Sequence, residues 1–117
     1  METLGNPLII NYLALEETSE VDLIIKDKFT RLIQVCHEVQ NCQVKVANIA
    51  KYKATETKYS YLVSINLSLP EGVDLYTLRL PQPAAEESVK GAIADAFAMI
   101  YRKLIELQFE KKQIVYA

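Results

Sequence analysis

The chain has 117 residues, the length of one domain, since single domains commonly span about 100 to 150 residues. Hydrophobic residues make up 50% and charged residues 24%, a composition that excludes a disordered or low-complexity polymer. The net charge of −2 argues against a protein that coats nucleic acid through bulk positive charge. We expect a single domain over 1–117 with an ordered core of about 8–112.

Two cysteines, Cys36 and Cys42, are too few for the disulfide scaffold on which small secreted domains depend. No stretch resembles a signal peptide, and none is an apolar run of about 20 residues that would cross a bilayer. These features predict a reduced, cytoplasmic setting and no membrane partner.

The first half of the chain predicts a strand, a helix and a second strand. Residues 8–15 form a short run rich in branched and aromatic side chains, as strands do. Thr18 or Ser19 then offers an N-cap, and apolar residues recur every three or four positions as far as Val39. This spacing predicts an amphipathic helix. A second strand is expected over 43–54, although its alternation is poor.

The second half predicts two strands and a long helix. Residues 58–69 alternate between apolar and polar side chains, which predicts a strand with one buried and one wet face. After a turn at 70–72, a fourth strand is expected over 75–80 and a helix over 84–112. The order is therefore β-α-β-β-β-α. Two amphipathic helices need an apolar sheet face to cover, so we predict an α+β two-layer sandwich: a four-stranded sheet with two helices packed on one face.

One side of the last helix is small or apolar where a solvated helix face normally carries charge. Its residues are Gly91, Ala94, Ala98, Ile105 and Phe109. Small side chains permit close approach, and an exposed apolar strip often marks a partner surface. This face predicts one candidate function, a protein-interaction or self-associating module, with a homodimer as a possible form.

Catalytic and metal-binding patterns are missing from the sequence. Cys36, His37 and Cys42 are three potential soft ligands, but a structural zinc site needs four, and Cys36 belongs to an apolar stripe. The three glycines do not form a phosphate-binding loop, and the lone histidine belongs to no Ser/His/Asp pattern. We therefore expect no metal site, no cofactor, no small-molecule substrate and no enzymatic activity.

Positive charge is concentrated in two segments: 26–60 holds seven basic residues against three acidic ones, and 101–117 holds four against two. Four lysines of the first segment stand among tyrosines: Lys45, Lys51, Lys53 and Lys58. Lysine and tyrosine together suit phosphate contacts and base stacking on RNA. The competing interpretation is an edge strand that lysines keep soluble, and it is favoured because two of the tyrosines fall on the buried side of the next strand.

The element order and several short patterns resemble the ribosome hibernation-promoting factor family, also called protein Y or ribosome-associated inhibitor, in its short form. The sequence of 28–32, KFTRL, fits the K-[LF]-x-x-L core of the family's first helix. The other matching positions are Leu8, Ile10, Leu15, Thr18, Ala92, Ile93, Ala96, Phe97, Arg102 and Leu104. The similarity spans 8–108.

This resemblance implies binding rather than catalysis: family members bind the small ribosomal subunit in the mRNA and tRNA channel and silence translation in idle or stressed cells. Basic side chains on both family helices contact ribosomal RNA. Lys28, Arg31 and Arg102 match such positions, and we expect these three residues and Lys103 to be the main RNA contacts. The lysines at 45, 51, 53 and 58 would form a second, weaker patch.

The last helix departs from the family pattern. Ala98 and Met99 stand where an acid-then-lysine pair is usual, and Glu106 and Gln108 occupy further basic positions. Ala94 replaces an aspartate, and Val89 replaces an aromatic residue. Each lost phosphate contact removes part of the counterion-release contribution, so several losses lower RNA affinity by orders of magnitude. Both candidate functions, ribosome binding and protein interaction, therefore stay open.

Overall fold

A computed structural model of the chain describes residues 7–15, 18–49, 61–81 and 88–116, with side chains described as far as Glu110. The elements are β1 (Leu8–Leu13), α1 (Ser19–Val35), β2 (Asn41–Asn48), β3 (Tyr61–Leu69), β4 (Val73–Arg79) and α2 (Val89–Tyr116). A short 3-10 turn, Pro70–Gly72, joins β3 to β4. The predicted order β-α-β-β-β-α is confirmed.

The four strands form one mixed sheet in the order β1-β2-β3-β4. β1 pairs with β2 in parallel, which requires a crossover connection, and α1 supplies it. β2, β3 and β4 follow as an antiparallel meander. β2 is therefore an internal strand, with Lys45 paired to Asn11 on one side and Ser64 on the other. The interpretation of β2 as a soluble edge strand is wrong, because β1 covers its free side.

Both helices cover the same face of the sheet, as predicted. The main contributors to the shared core are Ile25, Phe29 and Leu32 from α1, Cys42, Val44, Val46, Val63, Ile65 and Leu67 from the sheet, and Ile93, Ala96, Ile100 and Leu104 from α2. Complete burial of one such aliphatic side chain contributes about 1.5–3 kcal/mol. These residues are the predicted stripes of the two helices and the inward parity of the strands, so the periodicity did identify the core.

The first helix is shorter than its apolar periodicity predicts. The Thr18 hydroxyl accepts a hydrogen bond from the Val21 N–H at 3.2 Å and caps the start. At the other end, Cys36 already has an extended backbone, and its N–H bonds the Leu32 carbonyl. Cys36 and Val39 still pack against the core after the helix has ended. The stripe therefore overestimates the helix by continuing into non-helical residues that remain buried.

The strand boundaries also shift. β1 ends at Leu13, and Ala14 turns the chain with a positive φ of 60°. β2 begins at Asn41 and alternates cleanly in burial, so the poor alternation inferred from its sequence was misleading. β4 spans Val73–Arg79 rather than 75–80. The predicted strand residues beyond 49 and before 61, and the predicted helix start at 84, lie outside the described residues.

The predicted wet face of β3 is largely covered. Ser64 is buried, and Leu62, Asn66 and Ser68 are half-buried, although all four face away from the helices. β2 pairs with β3 from Tyr61 to Ser68 and β4 pairs with it from Val63 to Leu69, so neighbouring side chains shield this row from water.

Candidate nucleic-acid interface

The two helices lie side by side and leave an open groove of about 450 Å³ between them, here called the interhelical groove. It is lined by Lys28, Arg31, Leu32, Gln34 and Val35 from α1, and by Ala94, Phe97, Ala98 and Tyr101 from α2. Half of the basic positions predicted on the helices therefore belong to one concave surface.

The groove exists because α2 presents small side chains to α1. Ala94 and Ala98 line its wall and leave space that larger residues would fill. Phe97 and Leu32 are buried at its base, whereas Tyr101 remains 43% exposed. An apolar base and an accessible aromatic ring thus occur in one depression.

The groove is positively charged. Lys28 is half-buried in its wall, and Arg31 is exposed. Arg31 forms an ion pair with Asp27 at 3.4 Å, in which both side chains are mostly in solvent. Such exposed pairs contribute about 0–1 kcal/mol, so Asp27 can be exchanged for another anion at little cost. None of the described residues that line the groove is acidic.

Arg102 and Lys103 lie outside the groove. Arg102 lines a second depression with Asp95 and Met99, and Ala98 borders both depressions. Lys103 is on the side of α2 nearer β4, where its Nζ donates a hydrogen bond to the Tyr76 carbonyl at 2.6 Å. The structure thus brings Lys28 and Arg31 together in one groove and places Arg102 and Lys103 outside it, Arg102 in the depression formed with Arg79 and Leu80.

Lys45, the described member of the predicted second patch, does not line the interhelical groove. Lys45 is exposed on the face of the sheet opposite the helices, in one row with Asn11 and Ser64. The remaining members of the patch, Lys51, Lys53 and Lys58, lie outside the described residues. Lys45 and the helical cations are therefore on opposite sides of the molecule.

The small and apolar strip of α2 is divided into parts with different surroundings. The exposed Gly91 lies in the first turn, where its N–H donates to the Ser88 hydroxyl at 3.0 Å. Ala94 and Ala98 border the interhelical groove, so the small residues already face a helix of the same chain. Ile105 and Phe109, which follow further along, are 40% and 61% exposed. We call the segment 102–110 the distal part of α2.

An ion pair that the sequence analysis did not identify fixes α2 to the sheet. Arg79 is 7% exposed on the face of β4 that packs against the helices. It donates to the Tyr61 carbonyl at 3.0 Å and to the Asp95 carboxylate at 3.2 Å. The available signal was its parity, since Arg79 lies two residues after Thr77 and four after Leu75 and so shares their inward-facing side of β4.

The two cysteines are buried and unpaired, as expected for Cys36. Burial raises the pKa of the Cys42 thiol to about 12, so this group stays protonated at neutral pH. Over the described ranges, no three His, Cys, Asp or Glu side chains gather into a metal-binding group. In the same part of the chain, no helix is long and apolar enough to cross a membrane.

A four-stranded mixed sheet with two helices on one face, in the order β-α-β-β-β-α, defines an α+β fold that also occurs in solved structures. The ribosomal subunit interface protein from Coxiella burnetii superposes with a TM-score of 0.67 at 15% identity, over 86% of this chain and 96% of that one. The N-terminal domain of Thermus thermophilus Protein Y gives a TM-score of 0.49 at 16% identity, over 80% and 92% of the two chains. No family model and no curated protein matches the sequence. The likeness to the Coxiella protein establishes a shared fold, and at that level it confirms the resemblance found in the sequence.

Proposed function

We propose that the chain is a ribosome-associated protein of the hibernation-factor type, which binds ribosomal RNA of the small subunit and inhibits translation. The observation that carries this proposal is the interhelical groove, where Lys28 and Arg31 stand together without an acidic lining residue in the described part of the chain. The fold shared with a ribosomal subunit interface protein supports it. The proposed activity is binding, it involves no catalysis, and it takes place in the cytoplasm.

Charge placement explains how an acidic chain can bind RNA. Lys28 and Arg31 are three residues apart on α1 and line one groove, and Arg102 lines a second depression that shares Ala98 with it. Proteins recognise structured RNA mainly through phosphates, shape and stacking rather than through base pairs read in a groove. A few well-placed cations can therefore supply a local binding surface.

The salt dependence of binding tests this surface. Three phosphate contacts, from Lys28, Arg31 and Arg102, predict a loss of about thirtyfold in affinity between 50 and 200 mM salt. The experiment is co-sedimentation of the purified protein with purified small subunits across this range. Binding that does not change with salt would contradict a phosphate-binding interface.

Charge-reversal variants show which surface of the protein binds the small subunit. The Arg31→Glu/Arg102→Glu double variant should lose small-subunit binding and should no longer inhibit a cell-free translation reaction. Lys45→Glu is the matched control, because it reverses an exposed cation on the opposite face. Loss of binding with Lys45→Glu alone would move the interface to the outer face of the sheet.

A second candidate function is self-association through the distal part of α2. Ile105 and Phe109 are exposed there, with Arg102 before them and Glu106 and Glu110 on the following turns. Two copies that pack these apolar side chains against each other remove them from water, and a twofold axis lets the same patch serve both copies.

Sedimentation equilibrium distinguishes this candidate from RNA binding. A dimer held by Ile105 and Phe109 should persist at high salt and dissociate in the Ile105→Glu variant, whereas RNA binding should weaken with salt and keep this variant active. A chain that remains monomeric at high concentration would exclude the second candidate.

A further inference from the structure

We infer that the interhelical groove receives one unstacked nucleobase of a bound RNA strand, whose phosphates lie against Lys28 and Arg31. This inference rests on the proposed function and names the chemical group that occupies the groove.

The shape and lining of the groove fit a flat aromatic ligand. Its volume of about 450 Å³ lies within the range of about 300–1,000 Å³ that is usual for small-ligand sites. Phe97 and Leu32 form the apolar floor of the groove, and Tyr101 offers an exposed ring on the α2 side. A base that leaves its stack recovers the lost contacts by stacking on such aromatic side chains.

The groove also contains a polar group that can form hydrogen bonds with the edge of the nucleobase. Gln34 lines the groove from α1, and its amide offers both donors and an acceptor. Every RNA base carries at least one donor and one acceptor on its edge, in a pattern that differs between bases, so a glutamine amide can rotate to bond any of them without strong selectivity. The expected ligand is therefore single-stranded RNA of loosely defined sequence.

The charges favour a nucleotide over a protein side chain. An apolar side chain would not require Lys28 and Arg31 at the wall, and a carboxylate would leave Tyr101 without a partner. A nucleotide combines an aromatic ring with an anion and uses both features. Ala94 and Ala98 are consistent with this occupant, because they keep the space between cations and ring open.

The test compares two RNA probes of equal length and charge, a 12-nucleotide single strand of mixed sequence and the same backbone without bases. The wild-type chain should bind the first at least about tenfold more tightly, since aromatic stacking is worth about that factor per base. Tyr101→Ala should remove the preference, and Tyr101→Phe should keep it. Tyr76→Ala is the matched control: Tyr76 is 52% exposed but lies on the opposite face of the sheet.

A groove-filling variant provides a second, independent measurement. Ala98→Leu keeps every cation and occupies the space of the nucleobase, so it should also abolish the preference for the probe that carries bases. Ala98 is exposed, and the thermal midpoint of the variant verifies that the fold is intact. Equal affinity of the wild type for both probes would overturn the inference.

Small-subunit binding separates this inference from the proposed function. If the wild type sediments with small subunits in a salt-dependent way while Tyr101→Ala and Ala98→Leu behave identically, the proposed function holds and the inferred base site is wrong. If the wild type does not bind subunits at all, the proposed function fails. If Ala98→Leu abolishes subunit binding although the RNA probes show no base preference, the groove holds a protein side chain, and the inference is again wrong.

Discussion

The surface of the helix layer and the outer face of the sheet carry similar side chains but differ in shape. Hydrophobic residues are exposed on the sheet as well: Ile9, Leu13, Tyr76 and Leu78. Lys45 lies among them on a sheet surface, whereas Lys28 lies in a groove within reach of Tyr101. The two surfaces therefore cannot be distinguished by composition. The candidate site is distinguished by its concave shape, in which cations stand beside an aromatic ring.

The largest expected difference between the two sides of the sheet concerns stability. Leu67 is fully buried beneath the helices, and Leu78 on the outer face is 38% exposed. Leu67→Ala leaves a cavity and should lower the free energy of unfolding by about 2–5 kcal/mol. Leu78→Ala should lower it by less than about 1 kcal/mol. Urea denaturation of both variants measures the difference, and equal losses would contradict the assignment of inner and outer faces.

The inner face can also be tested by pH. Burial raises the pKa of Cys42 from its ordinary 9.0 to about 12 in the folded chain. Because the folded pKa lies above the unfolded one, this contribution to stability is complete below pH 9 and is lost as the pH rises toward 12. The loss should reach about 2 kcal/mol by pH 10.5.

Urea denaturation at pH 8 and pH 10.5 isolates this effect when the wild type is compared with Cys42→Ala. The variant lacks the thiol, so its own decrease over this range should be smaller by about 2 kcal/mol. Parallel pH profiles of the two proteins would show that Cys42 is accessible to water.

One lysine on each surface allows the contributions of the two surfaces to small-subunit binding to be compared. Lys28→Glu reverses a charge in the groove and should weaken small-subunit binding about tenfold or more, which corresponds to about 1.4 kcal/mol. Lys45→Glu should change it less than about twofold, since the opposite face is remote from the helices. Co-sedimentation at about 0.15 M salt, where the Debye length is about 8 Å, compares the two variants, and a larger effect of Lys45→Glu would reverse the proposed orientation on the ribosome.

The smallest expected effect compares two ion pairs. Asp95 and Asp27 have side chains that are equally exposed, at 59%, but Asp95 pairs with the buried Arg79 and Asp27 with the exposed Arg31. Asp95→Asn should therefore lower the free energy of unfolding by about 1 kcal/mol, since Arg79 keeps its bond to the Tyr61 carbonyl. Asp27→Asn should change it by less than about 0.5 kcal/mol. Thermal denaturation of both variants measures the contrast, and similar midpoints would mean that burial of Arg79 adds nothing to its pair.

Much of the fold could be predicted because burial leaves a period in the sequence. The alternation of β3 and the helical stripes through Ile25 and Ile100 identify which side of each element faces the core. Element ends were less certain, since Cys36 and Val39 continue the apolar spacing after α1 has ended. Local spacing reports burial, and a buried residue need not be helical.

The candidate site could be predicted only in part. Lys28, Arg31 and Arg102 were chosen through the family resemblance, but the groove depends on how Ala98 of α2 is placed against α1, which no local pattern records. Strand order is equally non-local, so the sequence did not reveal that Lys45 belongs to an internal strand.

The parallel pairing of β1 with β2 also affects the order in which the sheet assembles. A three-residue turn joins β3 to β4, whereas β1 meets β2 only by bringing Leu8 to Cys42 across the whole of α1. The entropy lost on closing a loop rises with its length, so we expect the β3–β4 hairpin to nucleate folding and β1 to dock late. Until β1 docks, β2 presents a free edge on which a strand of another chain can pair. The late docking of β1 is then also the stage at which aggregation competes most strongly with folding.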